Sequence, residues 1–210
     1  MEIEVKNLNE LMINEGGSVE LDGRGTLLAC KSSILNKNRN PNLTQEQAER
    51  IFAKYLGATN FIWLNGQSGL DITDQHIDGF ARFVGSNTIV TMEWEDLLYY
   101  DVVESDIQTL FNAKDVDGRP YNFVKLPLTK NSVFSSTNQD LGRASYCNFY
   151  IANTKVLVPI YNDPNDKKAL AIIQSLFPKR EVVGIDATQL YEFGGMIHCI
   201  TQQQPAKPHL

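Results

Sequence analysis

The stretch Ser18-Val-Glu-Leu-Asp22-Gly-Arg-Gly-Thr-Leu-Leu-Ala-Cys30 decides how this chain folds. Two strand-like runs meet at Asp22-Gly23, a dipeptide suited to a tight hairpin turn because both residues tolerate backbone angles that others avoid. Outward from the hairpin, Thr44 and Gln47 form a capping box at the start of a helix. Ala48, Ile51, Phe52 and Tyr55 recur at helical spacing as one apolar stripe, and Gly57 ends it. A short apolar strand, Asn60 to Leu64, follows. Hairpin, helix and strand make one unit.

The same order returns twice. A second hairpin is expected from Ile77 to Val84 and from Thr88 to Met92, turning at Gly85-Ser-Asn87. Its helix lies near Ser105 to Asn112, with Ile107, Leu110 and Phe111 on one face, and its strand at Phe123 to Leu128. A third hairpin runs from Tyr146 to Ile151 and from Lys155 to Pro159. The third helix starts at Asp163-Pro164, a cap followed by proline in the first helical position. It carries Leu170, Ile173, Leu176 and Phe177, and a strand from Glu181 to Ile185 closes the unit. A last strand is read from Ile197 to Gln202. Thr129 to Arg143 is polar, without periodicity, and reads as a surface loop. A supersecondary unit recurring at roughly 60 to 70 residues is an internal repeat whose members bury their faces on neighbours. The organisation expected is one partial domain over residues 1–210, with units at about 15–64, 76–128 and 146–185 and a closing strand at 196–203.

The chain has 210 residues, 42% hydrophobic and 21% charged, enough for a real core. A formal charge of −6 without a basic run argues against nucleic acid as a partner and admits a cationic substrate. The three cysteines are widely spaced and form no Cys-x-x-Cys pair, which points to a reducing, cytoplasmic compartment. Neither a secretory leader nor a run long enough to span a membrane is read from the sequence.

Chemistry concentrates in two segments. Gly194-Gly-Met-Ile-His-Cys-Ile-Thr-Gln-Gln-Gln-Pro205 delivers Cys199 between glycines and a run of neutral amides, which suits a nucleophile at a strand end better than a core strand. Asp71-Ile-Thr-Asp-Gln-His-Ile-Asp78 places His76 and Asp78 two residues apart, on one side of a strand. His198 adjoins Cys199, and neighbours on a strand point to opposite faces, so His76 is the better partner. Cys30 and Cys147 lie among apolar neighbours and read as inert core cysteines. The acidic cluster Glu93, Glu95 and Asp96 has no metal-ligand spacing. A zinc site from His76, Asp78 and Cys199 fits no familiar pattern.

Several segments, taken in order, resemble the agmatine deiminase and Porphyromonas-type peptidylarginine deiminase family. They are Glu15-Gly-Gly-Ser, Asp22-Gly-Arg-Gly-Thr-Leu-Leu, Asn36 to Pro41, Trp63-Leu, Thr73-Asp-Gln-His-Ile-Asp78, Ala144-Ser-Tyr-Cys-Asn-Phe-Tyr-Ile-Ala-Asn153 and the Cys199 segment. The resemblance implies the α/β pentein fold, a propeller of hairpin–helix–strand units, here about three of five, with the family's N-terminal units absent. It implies Cys199 as the nucleophile, His76 as general acid and base, and Glu15 as the carboxylate orienting His76. Asp78 would clamp a guanidinium. Asn148 would contact substrate or hold a hairpin edge.

The implied activity is hydrolytic deimination of a guanidinium, foremost agmatine to N-carbamoylputrescine and ammonia, as in putrescine and polyamine metabolism. It proceeds through an amidino-cysteine intermediate, with no metal or organic cofactor. Two positions depart from the pattern. Ile72 stands where agmatine-specific relatives carry an acidic residue, and Gln75 where many carry glycine. Another guanidino or peptidyl-arginine substrate, or a truncated remnant serving as an interaction module, is therefore the alternative. The partners expected are a small guanidinium substrate and either a second copy of the chain or a complementing N-terminal fragment, with neither nucleic acid nor membrane.

Overall fold

A computed structural model describes residues 11–204, an α/β protein. Its chain divides into two compact units. The first comprises the chain up to Ile77 with Phe83–Ile89 and Leu97–Phe123; the second comprises Asp78–Arg82, Val90–Asp96 and the chain from Val124 onward.

In the first unit, β1 (Val19–Leu21) pairs antiparallel with β2 (Thr26–Cys30), and β2 pairs parallel with β3 (Asn60–Leu64), Thr26 opposite Asn60 and Cys30 opposite Leu64. The turn forms where the sequence places it. One Asp22 carboxylate oxygen accepts from the N–H groups of Arg24 (2.7 Å) and Thr26 (2.9 Å), while Gly23 adopts φ 77°. Every residue of β2 is buried, as a central strand covered on both faces requires. A single turn, α1 (Lys31–Ile34), leads on to α2 (Gln45–Leu56). Both bonds of the Thr44/Gln47 capping box are present, and Gly57 closes α2 in the left-handed conformation. The apolar stripe of α2 sets Ala48 and Phe52 into a core with Met12, Leu27, Ala29, Ile34 and Ala58. Burying a side chain the size of Phe52 stabilises the unit by about 1.5–3 kcal/mol.

The strands β4 (Arg82–Phe83), β5 (Thr88–Met92) and β6 (Asn122–Leu126) form a second three-stranded sheet in that order. Gly85 makes the expected turn at φ 68°. The long strand anticipated from Ile77 is replaced by a 3-10 turn, Ile77–Gly79, and only two residues of β4 pair. Just upstream, Asp74 and Gln75 take φ 58° and 66°, left-handed conformations that no strand holds. Between β5 and β6 lie α3 (Trp94–Tyr99) and α4 (Glu104–Phe111). The first was not expected, because six residues with one buried position, Leu97, show no helical period. Asp106, buried in the first turn of α4, accepts from the N–H groups of Asn65 (2.9 Å) and Gly66 (2.8 Å) and so fixes the chain as it leaves β3.

In the second unit, β7 (Tyr150–Ile151) pairs antiparallel with β8 (Lys155–Ile160), which pairs parallel with β9 (Glu181–Asp186). The connecting helix is α5 (Asp166–Leu176). It begins at Asp166, past Asn165, whose N–H the Asp163 carboxylate accepts at 2.9 Å; the same carboxylate also accepts from the main-chain N–H groups of Lys130 and Asn131. Those bonds help order the 129–143 segment, which is not a featureless loop. Phe134 bridges Asp140, Leu128 bridges Ser145, and Thr129 is fully buried. A short α6 (Thr188–Glu192) follows β9. The strand expected over Ile197–Gln202 is instead a 3-10 turn, His198–Ile200.

Candidate active site

Two polar clusters hold the residues singled out by sequence, one in each unit. In the first, Glu15 lies at the start of a Gly16–Ser18 turn and directs its carboxylate two ways. One oxygen meets His76 Nε2 at 2.5 Å, and the other accepts from Arg39 Nε at 2.9 Å. Arg39 also donates to Asp74 Oδ2 at 2.6 Å, and that oxygen accepts from Asn36 Nδ2 at 2.8 Å. The other oxygen of Asp74 accepts from the Gly69 N–H at 2.6 Å. Partial burial pushes the Glu15 carboxyl up, but hydrogen bonds from Arg39 and His76 more than offset this and hold it below the usual carboxylate range. The Asp74 carboxyl is likewise lowered: desolvation opposes ionisation, but the bonds from Arg39 and Gly69 outweigh it.

The left-handed pair Asp74-Gln75 stands immediately before His76. Unsupported, each non-glycine residue there costs on the order of 1–3 kcal/mol. Ser32 Oγ donates to the Asp74 carbonyl (2.7 Å), and Gln75 Nε2 donates to the Asp101 carbonyl (3.1 Å). Gln75 at φ 66° is the position where the family resemblance expects glycine, the residue that adopts this conformation without strain.

In the second cluster, Asp78 is 1% exposed, and its Oδ2 accepts from His198 Nδ1 at 2.7 Å. The Cys199 sulfur lies 4.0 Å from the same oxygen. Asn148, fully buried, holds the cysteine turn. Its Oδ1 accepts from the N–H of His198 (2.9 Å), the N–H of Cys199 (3.3 Å) and the thiol (3.4 Å), while its Nδ2 donates to the Asp78 carbonyl (3.3 Å). In a strand, successive N–H groups point to opposite sides. One oxygen collecting two of them requires the turn that is found, and this is why the expected strand does not form. A turn of about three residues also rotates neighbours by roughly 120° instead of 180°. His198 and Cys199 therefore both reach Asp78, and the alternation that set His198 aside does not apply.

Cys199 is exposed as a residue, whereas Cys30 and Cys147 are fully buried. Loss of hydration around its sulfur raises the Cys199 thiol above the ordinary range, and the adjacent Asp78 carboxylate adds to the effect, against weaker help from the Met196 main chain and Asn148. A strand-disrupting glycine precedes it: Gly194 takes φ 79° at the end of α6.

An ordered cysteine turn against a buried carboxylate, and an imidazole braced by a glutamate, match the segments that carry the resemblance. A model of the Porphyromonas-type peptidyl-arginine deiminase family matches residues 1–205. The chain belongs to that family. A putative agmatine deiminase of Latilactobacillus sakei is 37% identical over 217 residues, covering 95% of this chain and 59% of that protein. Among solved structures, the agmatine deiminase of Enterococcus faecalis is 32% identical with a TM-score of 0.80, over 90% of this chain and 56% of that one. A putative arginine deiminase from Porphyromonas gingivalis is 37% identical with a TM-score of 0.81, over 92% and 57%. The chain thus spans somewhat under three-fifths of the length of the curated relatives it matches.

For this deiminase-family chain, the sequence singles out Glu15, His76, Asp78, Asn148 and Cys199, and the structure joins Glu15 to His76 and Asp78 to Asn148 and Cys199. Asn148, expected at substrate or at a hairpin edge, has its amide committed to the cysteine turn. His76 and Asp78, expected on one strand, lie instead in the first and second units respectively. Sequence reasoning set His198 aside and missed Arg39. Arg39 stood inside the Asn36–Pro41 segment that carries the resemblance, but nothing local separates a half-buried, doubly paired arginine from a surface one. Among the described residues, no group of three or more His, Cys, Asp or Glu is arranged to hold a metal ion, and no helix is long and apolar enough to cross a membrane.

Proposed function

We propose that the chain supplies the nucleophile and the acid/base of a hydrolytic deiminase acting on a guanidinium, with agmatine as the first candidate. The observation that carries this reading is the placement of the exposed cysteine, Cys199, 4.0 Å from the buried carboxylate of Asp78. An anion so placed keeps the thiol protonated while no substrate is present. A guanidinium held by Asp78 reverses the local charge, and the thiol passes its proton to His76 as the thiolate forms. The Cys199 sulfur attacks the guanidinium carbon, and the C–N bond to the departing nitrogen breaks. His76 delivers the proton with which that nitrogen leaves as ammonia. The amidino-thioether is then attacked by water that gives a proton to His76. The S–C bond breaks, the thiolate returns, and the ureido product leaves; for agmatine this is N-carbamoylputrescine. Glu15 orients the imidazole throughout.

Relatives named agmatine deiminase support agmatine, whereas Ile72, 78% exposed, offers no charge to a substrate's terminal ammonium and favours a second reading with another guanidino or peptidyl-arginine substrate. The three sheets among the described residues support a pentein, of which they would be about three of five units. A reducing, cytoplasmic setting suits a reactive thiol. The test is ammonia release from agmatine, arginine and a peptidyl-arginine by the chain and by Cys199→Ala and His76→Ala. Both variants should be inactive. Turnover retained in Cys199→Ala would remove the mechanism, and a wild-type chain silent on all three substrates would favour a non-catalytic interaction module.

A further inference from the structure

The proposed chemistry gives Arg39 no direct part, yet Arg39 is held by two carboxylates. Its side chain is 10% exposed, with Nε on Glu15 and a terminal nitrogen on Asp74. Glu15 is 40% exposed at its side chain and could otherwise exchange partners with water. The charged groups facing Glu15 are Arg39 and His76; those facing Arg39 are Glu15 and Asp74. We propose that Arg39 is a positioning residue that fixes the tautomer of His76 through Glu15 and so leaves Nδ1 as the nitrogen that moves the proton.

Arg39 keeps its proton at every accessible pH and can only donate. Its bond and its charge hold the Glu15 carboxyl ionised, and an ionised carboxylate can only accept. The Glu15 oxygen 2.5 Å from His76 Nε2 therefore requires hydrogen on Nε2. In the neutral ring the lone pair must then sit on Nδ1. Without a cation at position 39, Glu15 can protonate or rotate, the opposite tautomer becomes accessible, and Nδ1 carries hydrogen when it should accept. The same guanidinium anchors Asp74, whose left-handed backbone begins the turn into His76. One side chain thus sets both the approach of the backbone and the proton pattern of the ring. This inference rests on His76 being the acid/base, and its test is chosen to stand apart from turnover.

Long-range ¹H–¹⁵N correlation of the full chain labelled at histidine distinguishes the tautomers directly. The three histidines are few enough to assign by loss of the His76 signals in His76→Gln. Where the ring is neutral, wild-type His76 should carry hydrogen on Nε2 alone. Arg39→Gln, which keeps a donor but removes the charge, should show a mixture of both tautomers. Its kcat should fall about 10²-fold, the scale of a general acid/base contribution, with KM nearly unchanged. Arg39→Lys should restore the single tautomer. Hydrogen on Nδ1 in the wild type, or an unchanged Nε2–H ring in Arg39→Gln, overturns the proposal. Should Arg39→Gln not fold, Glu15→Gln decides: its amide both donates and accepts, so a mixture is expected and an unchanged Nε2–H ring overturns the proposal. If the tautomers behave as expected but the wild-type chain turns over no guanidino substrate, the functional reading fails while the role of Arg39 stands.

Discussion

Replacing Asn148 by alanine separates the two roles open to this residue. Its side chain makes four polar contacts in the second unit, three through Oδ1 and one through Nδ2. The His198 N–H keeps a partner in the variant, because it also reaches the Asn148 main-chain carbonyl at 3.0 Å. The thiol is a weak donor and contributes little. The cost therefore falls on the Cys199 N–H, near solvent, at about 1 kcal/mol, and on the carbonyl of buried Asp78, at about 1–3 kcal/mol. The sum is about 2–4 kcal/mol, or roughly 5–15 °C in Tm for a chain of this size. Thermal unfolding followed by circular dichroism reads this, and ammonia release follows the activity. Asn148→Ala should lower both Tm and kcat, whereas Cys199→Ala should abolish turnover while moving Tm by no more than about 2 °C. A Tm within about 1 °C of wild type in Asn148→Ala would refute the reasoning. If KM rose at the same time, Asn148 would instead be assigned to the substrate.

Alkylation by iodoacetamide should modify one cysteine of the native chain, because Cys30 and Cys147 are buried. With the Cys199 thiol raised by burial and by Asp78, the thiolate appears only above the usual thiol range, so the rate at neutral pH should lie below that of a free cysteine. Removing the carboxylate in Asp78→Asn favours the thiolate and should move the pH–rate profile to lower pH; a profile that stays or moves upward contradicts the electrostatic account. A paired glycine test probes the loop that leads towards His76. An added Cβ at Gly66 would lie 2.0 Å from Ser32 Oγ and 2.9 Å from Cys30 Cβ, and Ser32 is tied to the Asp74 carbonyl. Gly66→Ala should therefore cost about 3 kcal/mol or more in urea denaturation. Gly23→Ala, with open space at φ 77°, should cost about 1 kcal/mol from backbone strain alone; equal costs would show that the clash relaxes freely.

What the sequence by itself determined is local and periodic. The Asp22-Gly23 turn, the Thr44/Gln47 cap, the stripe of α2 and the strand Asn60–Leu64 were legible because each depends on residues a few positions apart. Glu15, His76, Asp78, Asn148 and Cys199 were singled out because they sit in short segments with a family resemblance. Only the tertiary structure decided the backbone at 74–79 and 198–200 and the part taken by Arg39 and His198. Those outcomes are set by side chains bonding to groups distant in the chain: Asn148 to residues 50 and 51 positions on, Glu15 to His76 at a separation of 61, and Asp78 to His198 at 120. Such bonds override strand propensity because an unmet buried donor or acceptor costs more than the preference of a few residues for extension. A single sequence carries no period or spacing that records which distant groups will meet.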